Sequence, residues 1–232
     1  MSLTQITENL AAVRARIEQA AVTCGRDPRE ITLLAVSKYQ PVERLQAAMV
    51  AGQQAFGESY VQEALDKQAV LTDAPLDWHF VGRIQSNKTA LIAAHFDWVH
   101  GLCDARHAQR LAQQRPAERP PLRVCIQVNL SGESSKAGIL PAQLGELLAA
   151  VDGLPGLEIA GLMTLPAATD DVEAQYAAFA RLRDLRNQHA TEHRPLATLS
   201  MGMSDDLEAA IAAGATIVRI GSAIFGARPS HR

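Results

Sequence analysis

The 232-residue sequence has few cysteines, little excess charge and no long apolar run. Its three cysteines, Cys24, Cys103 and Cys125, are odd in number and widely spaced, which argues against a disulfide framework or a zinc site and suits the reducing cytoplasm. A net charge of -3 provides no basic surface for nucleic acid. No apolar run approaches the roughly 18 residues that a membrane span requires, and the amino terminus does not resemble a signal peptide. We therefore expect a cytoplasmic protein that binds neither nucleic acid nor a membrane.

The sequence does contain a repeated alternation of strand-like apolar runs and amphipathic helical patterns. Because 47% of the residues are hydrophobic, the chain can bury one full core, and we predict a single domain over residues 1–232. Strands are predicted over 31–38, 54–59, 77–82, 97–102, 122–129, 157–163, 197–201 and 215–220. Eight strand-then-helix units predict an α/β fold, the (β/α)8 or TIM barrel, with an extra amino-terminal helix over about 6–21.

An open dinucleotide-binding sheet is the alternative that the sequence disfavours. Such a sheet carries a Gly-x-Gly-x-x-Gly fingerprint after its first strand, and this sequence lacks it there. Open doubly wound sheets also rarely need eight strands. The closed barrel is therefore the predicted fold.

Lys38 ends the first predicted strand. The run 31–36 is apolar or β-branched without a charge, a pattern typical of a strand buried on both faces. Barrel enzymes place their chemistry at the carboxyl ends of such strands. Position alone leaves two interpretations open: a charge that marks where the strand meets water, or a reactive amine.

The loops after the seventh and eighth strands are rich in glycine and serine. They contain Ser200, Gly202, Ser204, Gly221 and Ser222. Barrels often hold a phosphate in these two loops, where glycines allow close backbone approach and serine hydroxyls donate hydrogen bonds. Ordinary turns use the same residues, but both loops together favour an anion site. A lysine facing a phosphate suits a phosphorylated aldehyde held as a Schiff base, and pyridoxal 5'-phosphate is the obvious such ligand.

Several segments that run from the first strand almost to the last residue also carry a family pattern. They include 35–38 (AVSK), 56–63 (FGESYVQE), 78–88 (WHFVGRIQSNK), 199–206 (LSMGMSDD) and 218–226 (VRIGSAIFG). In these segments the sequence resembles the pyridoxal phosphate homeostasis proteins, whose fold is similar to the amino-terminal barrel domain of alanine racemase. The resemblance implies a pyridoxal phosphate aldimine on Lys38 and a role in intracellular vitamin B6 homeostasis.

The resemblance also implies roles for residues around the cofactor. Arg219 resembles the arginine that alanine racemase directs at the pyridine nitrogen; in this sequence it serves either that nitrogen or the phosphate. His79 and Met163 are candidates to line the ring, with core packing as the alternative for both. Ser59 stands where the family usually has asparagine, so a contact made by that amide would be lost or bridged by water. Lys136 is a candidate secondary lysine for cofactor transfer.

Catalysis is the less favoured interpretation of this resemblance. Racemisation needs a second acid–base group opposite the lysine, which in alanine racemase is a tyrosine on an additional domain, and we expect no such domain here. We therefore predict a monomeric carrier of pyridoxal phosphate, with pyridoxal phosphate-dependent apoenzymes as possible recipients, rather than an enzyme. A racemase of low activity is the alternative.

Overall fold

Eight parallel strands close a barrel in the computed structural model, which describes residues 2–72, 75–133 and 137–226. The strands are β1 (Thr32–Val36), β2 (Ala55–Glu58), β3 (Asp77–Phe80), β4 (Trp98–Leu102), β5 (Leu122–Gln127), β6 (Leu157–Met163), β7 (Thr198–Ser200) and β8 (Ile217–Ile220). Each strand pairs with the next one along the chain, and β8 pairs with β1. The predicted (β/α)8 barrel is confirmed.

Helices separate the strands and surround the barrel. They are α1 (Leu3–Thr23), α2 (Val42–Val50), α3 (Val61–Val70), α4 (Thr89–His95), α5 (Ala105–Gln114), α6 (Leu144–Val151), α7 (Val172–His189), α8 (Leu207–Ala212) and α9 (Ser222–Phe225). Short 3-10 helices cover Pro28–Glu30, Ser86–Lys88 and Pro141–Gln143. Within the described ranges, no helix combines the length and the apolar character needed to cross a membrane.

Helix α1 is the predicted addition before the first strand. It buries Ile6, Leu10, Val13 and Ile17, whose spacing of three and four residues places them on one face. This face packs against α2, α8 and α9. Because those helices flank β1 and β8, α1 covers the seam at which the barrel closes.

Strand β1 ends at Val36, two residues earlier than the sequence pattern predicts. The chain then turns: the Gln40 N–H donates to the Ser37 carbonyl at 3.0 Å, and Tyr39 has a φ of 64°. A left-handed conformation at a non-glycine residue costs about 1–2 kcal/mol, so the surrounding contacts must hold it. Lys38 therefore lies on a tight turn above the barrel and not in the strand.

A β-bulge in β6 brings its backbone close to β7. Val124 of β5 pairs with Ile159, but Cys125 pairs with Gly161, so Ala160 is an extra residue in β6. A Cβ on Gly161 would lie 1.8 Å from the Thr198 carbonyl oxygen. Only glycine fits this position without a shift of the backbone.

Two histidines lie inside the barrel, in neighbouring strands. His79 and His100 are 2% and 0% exposed, and His79 Nδ1 lies 2.8 Å from His100 Nε2. The His79 ring also stacks on Trp98, with ring centroids 5.3 Å apart. Burial lowers the pKa of His79 to about 3 and that of His100 well below its usual value, so both are neutral at pH 7. The structure therefore places His79 in the barrel core, and a contact between His79 and a cofactor ring stays a prediction.

Replacement of Gly161 by alanine should lower the free energy of unfolding by about 3 kcal/mol, because the added methyl overlaps backbone atoms of β7. Urea denaturation followed by circular dichroism measures this loss. Gly57→Ala is the matched control, since a Cβ there would meet the Leu34 side chain at an ordinary 3.4 Å. Equal losses in the two variants would contradict the close approach of β6 to β7.

Stability should fall as the pH is lowered from 7.5 to 5. The unfolded chain binds a proton at a histidine near pH 6.5, whereas folded His79 does so only near pH 3. Below pH 6.5 the unfolded state therefore gains protons that the folded state excludes, which costs on the order of 2 kcal/mol by pH 5 for this one residue. We expect the pH dependence of the urea midpoint to be smaller in His79→Gln than in the unaltered protein, and an equal pH dependence in the two would contradict the exclusion of protons from folded His79.

Candidate functional site

A cavity of about 250 Å³ lies at the carboxyl ends of the strands and is lined by residues from β1, β6 and β8 and from the loops that follow the strands. Six of the ten residues that the sequence analysis assigns to a site line it: Lys38, Met163, Ser204, Arg219, Gly221 and Ser222. The remaining lining includes Val36, Gln40, Val81, Leu165, Met203, Asp205 and Gly226. One mostly apolar cavity therefore contains an amine, a guanidinium and two hydroxyls, the arrangement expected of a small-molecule site.

Lys38 is half-buried and borders two cavities. The second cavity, of about 510 Å³, is also lined by Ser59, Tyr60, Arg83 and Lys88. Ser59 therefore shares a cavity with Lys38, but it does not line the one that contains Arg219.

Arg219 carries a buried charge without a carboxylate partner. Its side chain is on β8, and the residue is 6% exposed. Nη1 donates to Ser200 Oγ at 2.7 Å and Nη2 donates to the Thr164 carbonyl at 2.9 Å, both uncharged acceptors. In the described part of the chain, no carboxylate forms a salt bridge with it.

The environment of Arg219 suits an electron-rich ligand. Burial lowers its pKa to about 10, an effect that Asp206 partly offsets, so the guanidinium stays protonated at neutral pH. A buried cation is costly unless it is paired. A ligand that brings a negative charge or a lone pair into the cavity would supply the missing partner.

Ser200 lies behind the cavity. Its side chain is completely buried, and its Oγ contacts both Arg219 Nη1 and, at 2.7 Å, His100 Nδ1. A continuous chain of contacts thus runs from Arg219 through Ser200 and His100 to His79. Both contacts of the Ser200 hydroxyl are made inside the barrel and hold the Arg219 guanidinium, and a contact of this hydroxyl with phosphate stays a prediction.

Gly202 is also buried and does not line the cavity. Its φ is 95°, and a Cβ there would lie 2.6 Å from the Ala210 Cβ. Its carbonyl accepts the Arg219 N–H at 2.9 Å. Close packing between the loop after β7 and α8 explains this glycine, and its place beside a phosphate stays a prediction.

The hydroxyls of Ser204 and Ser222 lie together at the cavity wall. Their Oγ atoms are 3.1 Å apart, and the Ala223 N–H donates to Ser204 Oγ at 3.4 Å. Gly221, which precedes Ser222, lines the same cavity. This pair brings together two hydroxyls of a kind that donates to phosphate oxygens, and a phosphate at this place stays a prediction.

A buried ionic cluster lies beneath the Lys38 turn. Lys67 of α3 is 6% exposed, and its Nζ donates to Glu58 Oε1 and Glu63 Oε1 at 2.7 Å and to the Ser37 carbonyl at 2.8 Å. The Ser37 hydroxyl donates to the same Glu58 oxygen at 2.6 Å. The residue that precedes Lys38 is thus fixed by both its backbone and its side chain.

Sequence reasoning missed Lys67, Glu58 and His100. Glu63 and Lys67 are four residues apart on a helix, a spacing typical of exposed ion pairs, and this pattern conceals the burial of the lysine. His100 stands in an apolar strand. A histidine in such a strand indicates a buried polar contact, but the sequence does not show which residue His100 contacts. Lys136 lies outside the described residues, so its predicted transfer role stays a prediction.

The comparisons with known proteins identify the family of the chain. Residues 2–229 match the family model of the alanine racemase amino-terminal domain. The chain is 57% identical over 226 residues to the pyridoxal phosphate homeostasis protein of Pseudomonas aeruginosa, covering 97% of each chain. It is 51% identical over 229 residues to the protein of that name from Escherichia coli K12, covering 97% of this chain and 98% of the relative.

Solved structures extend the likeness to three dimensions. PipY of Synechococcus elongatus, solved with pyridoxal phosphate bound, has a TM-score of 0.83 at 37% identity. The match covers 95% of this chain and 100% of the PipY chain. Alanine racemase from Corynebacterium glutamicum has a TM-score of 0.70 at 20% identity, which shows a shared fold; this chain covers 62% of it. The chain belongs to the pyridoxal phosphate homeostasis proteins, within the alanine racemase amino-terminal domain family.

Proposed function

We propose that the chain binds pyridoxal phosphate covalently through Lys38 and acts as a carrier in its homeostasis, without a dedicated catalytic reaction. One observation carries the proposal: the Lys38 amine and the buried Arg219 guanidinium, which forms no salt bridge with any described carboxylate, line one cavity. The names of the relatives and the bound ligand of PipY support the choice of ligand. When bound, this cofactor supplies an aldehyde that reacts with primary amines.

The residues present fit such a ligand. The cavity, of about 250 Å³, is slightly smaller than the roughly 300–1,000 Å³ typical of ligand pockets, which suits a compact molecule. Lys38 provides the amine, and Ser204 and Ser222 provide hydroxyl donors for a phosphate. Met163 provides an apolar, polarisable wall for a ring.

We assign Arg219 to the ring of the cofactor. The guanidinium is held on the side of Thr164 and Ser200, whereas the hydroxyls suited to phosphate belong to Ser204 and Ser222. An arginine only donates hydrogen bonds, so a ring nitrogen beside it stays an unprotonated acceptor. Such a ring withdraws electrons weakly, a property that this chain would share with alanine racemase and that does not by itself separate carriage from racemisation.

A racemase of low activity is the second candidate function. Tyr60 lines the second cavity together with Lys38, and a tyrosine hydroxyl is a plausible second acid–base group. Its hydroxyl, however, is hydrogen bonded to that of Tyr39, and the residue is 48% exposed. An open site protects a reactive species poorly, so we favour the carrier.

We further propose that the chain acts as one domain and as a monomer in the cytoplasm. In this role the recipients of the cofactor would be pyridoxal phosphate-dependent apoenzymes. The acidic net charge and the three free cysteines suit this location.

Sodium borohydride should fix the cofactor on Lys38. After incubation with pyridoxal phosphate and reduction, peptide mass mapping should find a pyridoxyl group on Lys38, and the visible absorption band should disappear. Lys38→Ala should lose both signals. Lys88→Ala, which removes another lysine from the second cavity, should keep them. A pyridoxyl label at another lysine would contradict the proposed function. So would a protein that gains no visible absorption band when pyridoxal phosphate is added.

Incubation with L-alanine in deuterated water should give no steady incorporation of deuterium at Cα, because the Tyr60 hydroxyl is already hydrogen bonded to that of Tyr39 at an exposed site. Proton NMR of the amino acid measures this exchange. Lys38→Ala gives the background rate. Multiple turnovers in the unaltered protein that vanish in Lys38→Ala would favour the racemase alternative.

A further inference from the structure

We infer that Lys67 is a positioning residue for Lys38, although it lies in α3 and does not line either cavity that Lys38 borders. The inference rests on the proposed covalent role of Lys38. It assigns to Lys67 and its two glutamates the task of fixing the direction in which the Lys38 amine leaves the turn.

Both peptide groups that flank Lys38 are held by this cluster. The carbonyl of Ser37, which begins the peptide bond to Lys38, accepts from Lys67 Nζ at 2.8 Å. The N–H of Tyr39, which belongs to the next peptide bond, donates to Glu63 Oε1, and that oxygen also accepts from Lys67. The backbone on either side of Lys38 is therefore fixed to one ammonium group.

The geometry uses the full donor capacity of Lys67. An ammonium has three N–H donors, and Lys67 Nζ meets three oxygens at 2.7–2.8 Å. Hydrogen bonds from a charged donor are short and strong. Because only 6% of the residue is exposed, water competes little for these bonds.

Glu58 shows that the cluster is built around the cation. It is completely buried, and its Oε1 accepts from both Lys67 and the Ser37 hydroxyl. Its Oε2 has no hydrogen-bond partner among the described residues, and burial raises the pKa of the carboxyl. Both Lys67 and Glu58 hydrogen bond to Ser37, and neither is exposed to solvent. The cluster therefore holds the backbone where the Lys38 turn begins.

The turn itself needs such support. Tyr39 has a φ of 64°, a conformation that a non-glycine residue keeps only when its surroundings impose it. If the hydrogen bonds to the peptide groups around Lys38 were lost, Tyr39 would relax toward a negative φ, and the Lys38 side chain would change direction. A misplacement of about 1 Å can slow a reaction about a hundredfold.

The test compares Lys67→Met with the unaltered protein in two measurements. Stopped-flow absorbance gives the rate of covalent linkage to pyridoxal phosphate. Calorimetry gives the affinity for pyridoxine 5'-phosphate, whose alcohol replaces the aldehyde, so that it probes the cavity without a covalent bond. We expect linkage at least about tenfold slower in Lys67→Met, with the affinity for the alcohol unchanged.

Gln53→Met is the matched control. Gln53 is 4% exposed, and its Nε2 donates to the carbonyls of Leu33 and Ala55 at 2.8 Å, toward the amino-terminal ends of β1 and β2. Its replacement breaks buried hydrogen bonds on the same two strands without touching the Lys38 turn. We expect an unchanged linkage rate in this variant even though its melting temperature falls.

A double variant, Glu58→Gln with Lys67→Met, separates positioning from stability. Removing both charges relieves the unpaired buried carboxylate and should recover melting temperature. The Ser37 carbonyl still lacks its donor, so linkage should stay slow. If Lys67→Met does not fold, Glu63→Ala takes its place, since it removes the acceptor of the Tyr39 N–H at a partly exposed site and should also slow linkage.

Three results would overturn the inference. The first is linkage at the unaltered rate in Lys67→Met, or in its substitute Glu63→Ala, and the second is a loss of affinity for pyridoxine 5'-phosphate in the same variant that matches its loss of linkage rate. The third is recovery of the linkage rate together with the melting temperature in the double variant. These results leave the proposed function intact. If the unaltered protein itself forms no linkage, the proposed function fails and the inference falls with it.

Discussion

The pairing of the first strand with the last is the interaction on which the site depends. Residues Thr32 to Ala35 of β1 lie in parallel register with Ile217 to Ile220 of β8, and this ladder closes the barrel. It also brings the chain that leads to Lys38 beside Arg219, although 181 residues separate them. Without this closure, the amine and the guanidinium would belong to opposite edges of an open sheet.

The sequence is informative where one physical rule decides the outcome. Strands buried on both faces must be apolar, so the barrel strands are recognisable, and their carboxyl ends share one side of the molecule. For the same reason Lys38, Ser204, Gly221 and Ser222 could be placed at one site. Their position follows from the order of strands and requires no knowledge of side-chain packing.

The residues that support the site could not be predicted in this way. Ser200 ends β7 and Ser204 lies in the loop that follows, yet only Ser204 lines the cavity, because the side chain of Ser200 points into the barrel. The sequence around Lys67 is typical of an exposed helix face. Its ammonium is buried nevertheless, because Glu58, Glu63 and the Ser37 carbonyl accept its three hydrogen bonds. Such partnerships depend on contacts between elements, which local sequence patterns do not contain.

Helix α1 has a consequence for the order of folding. It precedes the whole barrel in the sequence, but part of its apolar face packs on α8 and α9, and the Asn9 amide donates to the Ile224 carbonyl at 2.9 Å. These contacts join residues more than 200 positions apart, and such distant contacts form slowly. During translation the helix therefore keeps apolar surface uncovered until α8 and α9 have emerged from the ribosome, which makes this face a natural site for a chaperone to protect.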